Sequence, residues 1–190
     1  MEKLTQLPQD LPIPVDDGAC DRLLGQSLPS LCLPSTQGRQ VDLSAIPGYV
    51  VIYCYPMTGK PGIPLPDGWE DIPGARGCTP QSCSFRDSHQ ELTDLGAQVF
   101  GLSIQDTEYQ LEAKERIHLP FELLSDLDLS FATTLKLPIF AIEEQQFIKR
   151  VTLIAKDGII VKVFYPVFPP NRNADDVIEW LQGEYLGRSN

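Results

Sequence analysis

The residues with most chemical potential lie in one stretch, Gly77-Cys78-Thr79-Pro80-Gln81-Ser82-Cys83-Ser84-Phe85-Arg86-Asp87. A glycine- and proline-rich run leads straight into an amphipathic pattern, so Cys78 falls in the first turn of a helix. Free backbone N–H groups and the positive end of the helix dipole there favour a thiolate over a thiol. Taken alone, Cys78 reads more simply as a small apolar plug in a turn. Cys83, five residues on, changes that reading. On a regular helix this offset is ~140° of rotation and ~7.5 Å of rise, which places the two Cα atoms roughly 8.7 Å apart. A disulfide needs them within ~7 Å. The pair can be two thiols on a folded helix or a disulfide on an unwound one, not both in one conformation, which is the behaviour of a switchable redox pair. Zinc is the competing chemistry, with Cys54, Cys78, Cys83 and His89 as conceivable ligands. The chain has no C-x2-C, no H-x3-5-H and no second cysteine pair to support it.

The elements that must position these thiols alternate in type. Tyr49–Tyr55 is a continuous apolar, β-branched and aromatic run ending at Pro56, as in a strand buried on both faces. Gln98–Ile104, Arg150–Ala155 and Ile159–Tyr165 read likewise, the last two joined by Lys156-Asp157-Gly158 as a hairpin. Phe85, His89, Leu92 and Leu95 share one face of a helix ending at Gly96. Asp106 or Thr107 caps a second helix through Ile117, which stops before Pro120. Leu127–Leu135 and Ala174–Tyr185 are two more, the latter with Val177, Ile178 and Leu181 inward. This order predicts an α/β domain, a mixed central sheet flanked by helices on both faces. Pro56–Gly77 is too rich in proline and glycine for regular structure, and a loop above ~15 residues in a compact domain usually has a function or lacks order.

Length and composition bound the rest. The chain has 190 residues, 42% apolar, enough for one domain with a sizeable core. We expect an extended, proline- and acid-rich arm over residues 1–27 and the domain over 28–190. A net charge of −11 argues against nucleic acid or an anionic membrane surface as partner. Met1-Glu2-Lys3-Leu4 does not open a secretory signal. The longest uncharged stretch, Leu43–Gly59, is broken by prolines and falls short of the ~20 residues of a spanning helix. These features predict a soluble cytoplasmic protein whose thiols are kept reduced. Cys32 and Cys54 sit in strand-like runs and are expected in the core, while Cys20 in the arm is expected to be exposed. His89 reads as a helix-face residue, His118 as a surface residue, and Glu112–Arg116 as a solvated helix face.

The Cys78 segment resembles the active-site segment of the peroxiredoxins, most closely the Q-type or bacterioferritin comigratory protein group, with its G-C-T-x-E-A-C-x-F-R-D pattern. Leu28-Pro29 through Ser44, Tyr53-Cys54-Tyr55-Pro56, Leu119-Pro120-Phe121-Glu122-Leu123-Leu124-Ser125-Asp126 and Lys149–Ile154 followed by Asp157-Gly158 are also similar to that group. Roughly residues 28 to 182 are covered. The resemblance implies a thioredoxin-like fold. It makes Cys78 the peroxidatic cysteine, Cys83 the resolving cysteine, Arg150 the arginine that reaches the thiolate from a neighbouring strand, and Pro56 the proline that shields the site. On sequence alone Arg150 would be a solvated cation at a strand end.

Three departures stand out against the family pattern. Pro56 precedes Cys78 by 22 positions, where the family has about seven, which implies a long Pro/Gly-rich insertion before the active-site helix. Ala75 holds the position of the usual Thr or Ser, so Thr58 is the candidate replacement hydroxyl, and Pro73 a second candidate shield. Gln81 stands where Glu is common. The implied activity is a thiol peroxidase acting on hydrogen peroxide and organic hydroperoxides, recycled by thioredoxin or glutaredoxin without metal, flavin or haem. Both cysteines lie in one chain, so a monomer or weak homodimer suffices. The alternatives are a thiol-disulfide oxidoreductase, disfavoured because C-x2-C is absent, and a redox-sensing binding module using the 56–77 loop and the acidic arm as its contact surface.

Overall fold

The computed structural model describes Leu7 and residues 10–187, leaving aside the side chains of residues 185 and 186. The strands in chain order are β1 (Leu33–Pro34), β2 (Gln40–Val41), β3 (Tyr49–Cys54), β4 (Ala97–Ser103), β5 (Glu122–Ser125), β6 (Ile139–Ile142), β7 (Gln145–Ile148), β8 (Val151–Lys156) and β9 (Ile159–Phe164). The helices are α1 (Cys78–Asp87), α2 (His89–Asp94), α3 (Thr107–Arg116), α4 (Ser130–Leu135) and α5 (Asn173–Gly187).

Five strands form the central mixed sheet in the order β5-β4-β3-β8-β9. β3 runs parallel to β4 and antiparallel to β8, and β8 and β9 form the expected hairpin. Its two-residue turn is Asp157-Gly158, with φ of 49° and 79°, the pair of positive dihedrals that a tight hairpin twist requires. β3 is buried on both faces, as its unbroken apolar run implies. Val50, Ile52 and Cys54 enter one core with Phe131, Ala132 and Leu135 of α4. Val51, Tyr53 and Tyr55 enter the other, with Phe85 of α1, Leu92 of α2 and Val177 and Leu181 of α5. Gly101 of β4 is required by this second face. A Cβ there would meet the Tyr53 ring at 2.7 Å and Leu123 Cδ2 at 2.5 Å.

The helix read through Leu95 is interrupted at Ser88, which separates α1 from α2. α4 starts at Ser130, later than the expected Leu127, because the Asp126 carboxylate accepts from the N–H groups of Phe131 and Ala132, both at 2.9 Å. The β6–β7 hairpin was not foreseen. It holds Phe140 and Phe147, whose rings contact Trp69 at 5.8 and 5.0 Å. Trp69, buried in a short 3₁₀ turn (Trp69–Asp71), thereby ties the 56–77 segment to the domain.

Residues 1–6, 8 and 9 of the expected arm lie outside the described residues. The part near residue 20 is not a loose appendage. Gly25 N–H donates to Ile160 O and Ile160 N–H to Gln26 O, both at 2.8 Å, so this stretch covers the free edge of β9. Cys20 is therefore buried beside Leu23 in the first core, where exposure was expected. Burial pushes its thiol up to about 12. Cys32 departs in the other direction. It is exposed because Leu33, its neighbour in β1, turns inward and strand alternation turns Cys32 out. Cys54 is buried as expected.

Candidate active site

Gly77 sets the entry into α1. Its φ of 100° lies in the left-handed region, and a Cβ there would fall 2.4 Å from Pro170 Cγ, so backbone and packing both demand glycine. Cys78 is the first residue of α1. Pro80 in the same turn removes no hydrogen bond, since first-turn N–H groups have no partner inside the helix. The ladder begins with Gln81 N–H to Gly77 O at 3.0 Å.

Arg150 sits one residue before β8, and the antiparallel β3–β8 pairing brings this end of β8 to the end of β3 that leads into the 56–77 segment. It is only 3% exposed. Its Nη2 lies 3.2 Å from Cys78 Sγ and also meets the carbonyls of Gly74 at 3.2 Å and Arg76 at 3.0 Å. One guanidinium thus fixes the turn before α1 and faces the sulfur at its start. As a thiol, Cys78 donates to Ala75 O at 3.5 Å; as a thiolate it accepts from Arg150. Nη1 of Arg150 donates to Gln81 Oε1. Gln81 Nε2 donates to Asn173 Oδ1 at 2.9 Å, and the same oxygen accepts from Thr152 Oγ1 at 2.6 Å. Tyr53 and Tyr55 lie under the helix, fully buried, and Tyr53 donates to Ser82 Oγ at 3.1 Å. Burial pushes both phenols up, and the nearby Cys78 adds to it, so neither carries charge at neutral pH.

Cys78 opens into a cavity of about 20 Å³, room for a water-sized molecule, walled by Met57, Leu65, Trp69, Arg76 and Thr79 among others. Cys83 is half-buried on another face of α1 and lines a separate surface depression with Ser84, Asp87 and Asp175. Burial raises the Cys83 thiol above its ordinary value, partly countered by Arg86. The two thiols therefore share a helix and open to different cavities, as their spacing requires.

The other expected site residues fall differently. Thr58 is buried, but its hydroxyl donates to Gln105 Oε1 at 3.1 Å and its N–H to the same atom at 2.9 Å. The structure does not bring that hydroxyl to Cys78, because Gln105 holds both groups of Thr58. Pro56 is buried directly after β3 and does not wall the Cys78 cavity; Met57 does. Pro73 is exposed and lies outside that wall as well. Sequence reasoning missed the wall formed by Met57, Leu65 and Trp69, and it missed Asn173 and Thr152. A signal existed for Thr152. It is a polar residue in a buried strand, and a buried hydroxyl needs a partner.

A family model described as Redoxin matches residues 23–178. The chain is 34% identical over 164 residues to the protein named peroxiredoxin Bcp of Bacillus subtilis, covering 84% of this chain and 92% of that one. The chain belongs to the redoxin family, as a peroxiredoxin. It is also 29% identical over 159 residues to a chloroplastic peroxiredoxin Q of Oryza sativa subsp. japonica, covering 83% of this chain and 66% of that protein. This peroxiredoxin thus spans about two thirds of the length of the chloroplastic relatives it matches. The solved structure of peroxidoxin BcpB from Mycobacterium tuberculosis superposes with a TM-score of 0.69 at 24% identity, over 84% of this chain and 96% of that one. The likeness shows the thioredoxin-like fold of this peroxiredoxin. Among the described residues, no helix is long and apolar enough to cross a membrane.

Proposed function

We propose that this peroxiredoxin is a thiol-dependent peroxidase that reduces hydrogen peroxide and organic hydroperoxides through Cys78. The observation that carries the reading is the 3.2 Å contact between Arg150 Nη2 and Cys78 Sγ, at a helix start and beside a small cavity. The helix dipole and the guanidinium both favour the thiolate. The thiolate attacks one peroxide oxygen. The S–O bond forms as the O–O bond breaks, and the leaving oxygen takes a proton and departs as water or an alcohol. The sulfur is oxidised by two electrons to a sulfenic acid and the peroxide is reduced by two. The Arg150 Nη2 N–H faces the reacting sulfur and stabilises negative charge there without reorganising.

In the second half of the cycle the Cys83 thiol condenses with the sulfenic acid. The S–S bond forms, the S–O bond breaks, and water leaves with the thiol proton. A dithiol protein, thioredoxin or glutaredoxin, then takes the disulfide by exchange and restores both thiols. Both cysteines belong to one chain, so a monomer or weak homodimer completes the cycle, and a reducing compartment such as the cytoplasm supplies the electrons. The acidic surface supports a reading without nucleic acid or an anionic membrane as partner.

The test is steady-state peroxide consumption with thioredoxin as donor for wild type, Cys78→Ser and Cys83→Ser. Cys78→Ser abolishes turnover, because an alcohol is scarcely ionised at neutral pH. Cys83→Ser gives one turnover and then overoxidises. Activity of Cys78→Ser within about ten-fold of wild type, ~1.4 kcal/mol of barrier, refutes the assignment. Stoichiometric oxidation of wild type without turnover makes the chain a redox sensor instead.

A further inference from the structure

The described part of the acidic arm is fastened at three points around the start of α1. Asp17 accepts from Lys149 Nζ and from the Tyr165 hydroxyl, both at 2.9 Å. Lys149 directly precedes Arg150, and Tyr165 directly follows β9. Pro14 packs on Gly74, where a Cβ would meet Pro14 Cβ at 3.6 Å. Gly74 opens the turn whose carbonyls Arg150 holds. Leu7 packs on Gly77, the residue before α1, where a Cβ would meet Leu7 Cδ2 at 2.9 Å. Leu7 also lines the surface depression into which Cys83 opens.

These contacts bracket the segment that has to change shape. A thiol at Cys83 and a sulfenic acid at Cys78 cannot meet on an intact helix. For the S–S bond to form as the S–O bond breaks and water leaves, residues 78–83 must leave helical geometry. Cys83 must also leave the depression beside Leu7. Gly74 and Gly77, with φ of 79° and 100°, frame the turn that leads into this segment, and the arm sits on both. A contact made only with the wound form lowers the fraction unwound by its own equilibrium factor. The fastening is also light. A cavity of about 250 Å³ lies between Ile13, Pro14 and Val15 of the arm and Ile72, Pro73 and Gly74 of the turn. Ile13 and Val15 are 67% and 80% exposed. A stretch held by a few exposed contacts opens readily, so it retards the motion without blocking it. Hydrogen bonds from Lys149 and then Tyr165 hold the Asp17 carboxyl at about 2, so it stays ionised wherever a thiol reacts.

We infer that the N-terminal arm is a strap on the active-site helix: through Leu7, Pro14 and Asp17 it holds α1 wound and slows the bonding of Cys83 to oxidised Cys78. The inference rests on the reading of Cys83 as the thiol that resolves the Cys78 sulfenic acid. Its consequence is a longer-lived sulfenic acid, which a second peroxide can carry to the sulfinic acid. Leu7, Pro14 and Asp17 lie outside the wall of the Cys78 cavity, so the strap acts on resolution and not on the attack on peroxide.

The experiment uses the full chain as wild type, Leu7→Ser, Asp17→Asn and the double variant. One equivalent of hydrogen peroxide is added to the reduced protein, samples are quenched in acid, and the Cys78 sulfenic acid and the Cys78–Cys83 disulfide are followed by mass. Each single variant should resolve the sulfenic acid about two- to five-fold faster and the double variant about ten-fold faster, while its formation keeps the wild-type rate. Amide exchange over residues 76–88 in the reduced, peroxide-free protein should rise by the same factors. Asp10→Asn removes an arm charge away from Lys149 and should leave all of these rates alone. Resolution unchanged or slower, formation and resolution accelerated equally, unmoved exchange, or an Asp10→Asn effect as large as that of Asp17→Asn overturns the strap. The exchange readout needs no peroxide. Faster exchange in variants of a chain that forms no sulfenic acid sinks the peroxidase reading and leaves the strap on the helix, whereas normal turnover with unmoved exchange and resolution does the reverse.

Discussion

Oxidising the Cys78–Cys83 pair should dismantle the first turns of α1, and the size of the effect follows from the contacts there. On a regular helix the two Cα atoms stand roughly 8.7 Å apart, and a disulfide needs ~7 Å or less. Closing that gap takes the backbone of residues 78–83 out of helical geometry. Four interactions go with it: Gln81 N–H to Gly77 O, Arg150 to Gln81, Gln81 to Asn173, and Tyr53 to Ser82. At about 1 kcal/mol each they protect the segment in the reduced protein by roughly 4 kcal/mol, near a thousand-fold in opening equilibrium. Amide exchange by mass spectrometry over residues 76–88, before and after one equivalent of peroxide, reads this directly. The segment should exchange slowly when reduced and up to a thousand-fold faster when oxidised, with β3, β4 and β8 protected in both states. Cys83→Ser, whose sulfenic acid has no partner thiol, should keep the slow pattern. Equal protection in the two states, with the Cys78–Cys83 disulfide confirmed by mass, would refute the geometric reasoning even where turnover is normal.

Arg150→Met removes the guanidinium 3.2 Å from the sulfur; a charge-assisted hydrogen bond of about 1.5–3 kcal/mol predicts a peroxide step slower by roughly ten- to 150-fold in stopped-flow fluorescence, with Trp69 in the cavity wall as reporter. Gly77→Ala forces a Cβ into Pro170 at a positive φ, so the melting temperature and the thiolate fraction should fall together, and an unchanged melting temperature would count against the entry geometry. Burial would raise the Glu122 carboxyl, but hydrogen bonds from Arg39 and Ser35 outweigh it and hold the group below its ordinary value of 4.5. That contribution is fully present above pH 4.5 and lost as the pH falls through the lower folded value. Glu122→Gln should therefore destabilise by about 1 kcal/mol in urea melts at pH 7 and lose its penalty in strong acid.

Strand and helix order was legible because β3, β4 and β8 read as unbroken apolar runs, and because Gly96 and Pro120 punctuate the helices between them. The place of Cys78 at a helix start was legible too, since a Gly-Cys junction before an amphipathic run can put a thiol there. What the sequence concealed depends on long-range packing. The β6–β7 hairpin has no alternating pattern strong enough to declare it; it exists because Phe140 and Phe147 receive Trp69 from some 70 residues away. Cys20 read as exposed because it lies in the N-terminal arm, yet Leu23 anchors the stretch in the core and β9 offers it an edge to cover. Thr58 looked available as a hydroxyl because its competitor, Gln105, is invisible until β4 is placed beside β3.

Under the proposed cycle, the position of Gln81 ties the surroundings of Cys78 to its redox state. It lies between Cys78 and Cys83, inside the segment that the proposed disulfide must unwind, and its Oε1 accepts a hydrogen bond from Arg150. Unwinding withdraws Gln81 Oε1 from the guanidinium and Nε2 from Asn173, so the arrangement that favours the thiolate is taken apart by the step that consumes it. Reduction restores the helix, and with it these contacts. Under this scheme the Asn173 and Thr152 side chains sense the redox state of a thiol they do not touch. Nitrogen-15 NMR of the Asn173 side-chain amide would register the change on oxidation. An Asn173 signal insensitive to disulfide formation would separate the two events and leave the helix as the only moving part.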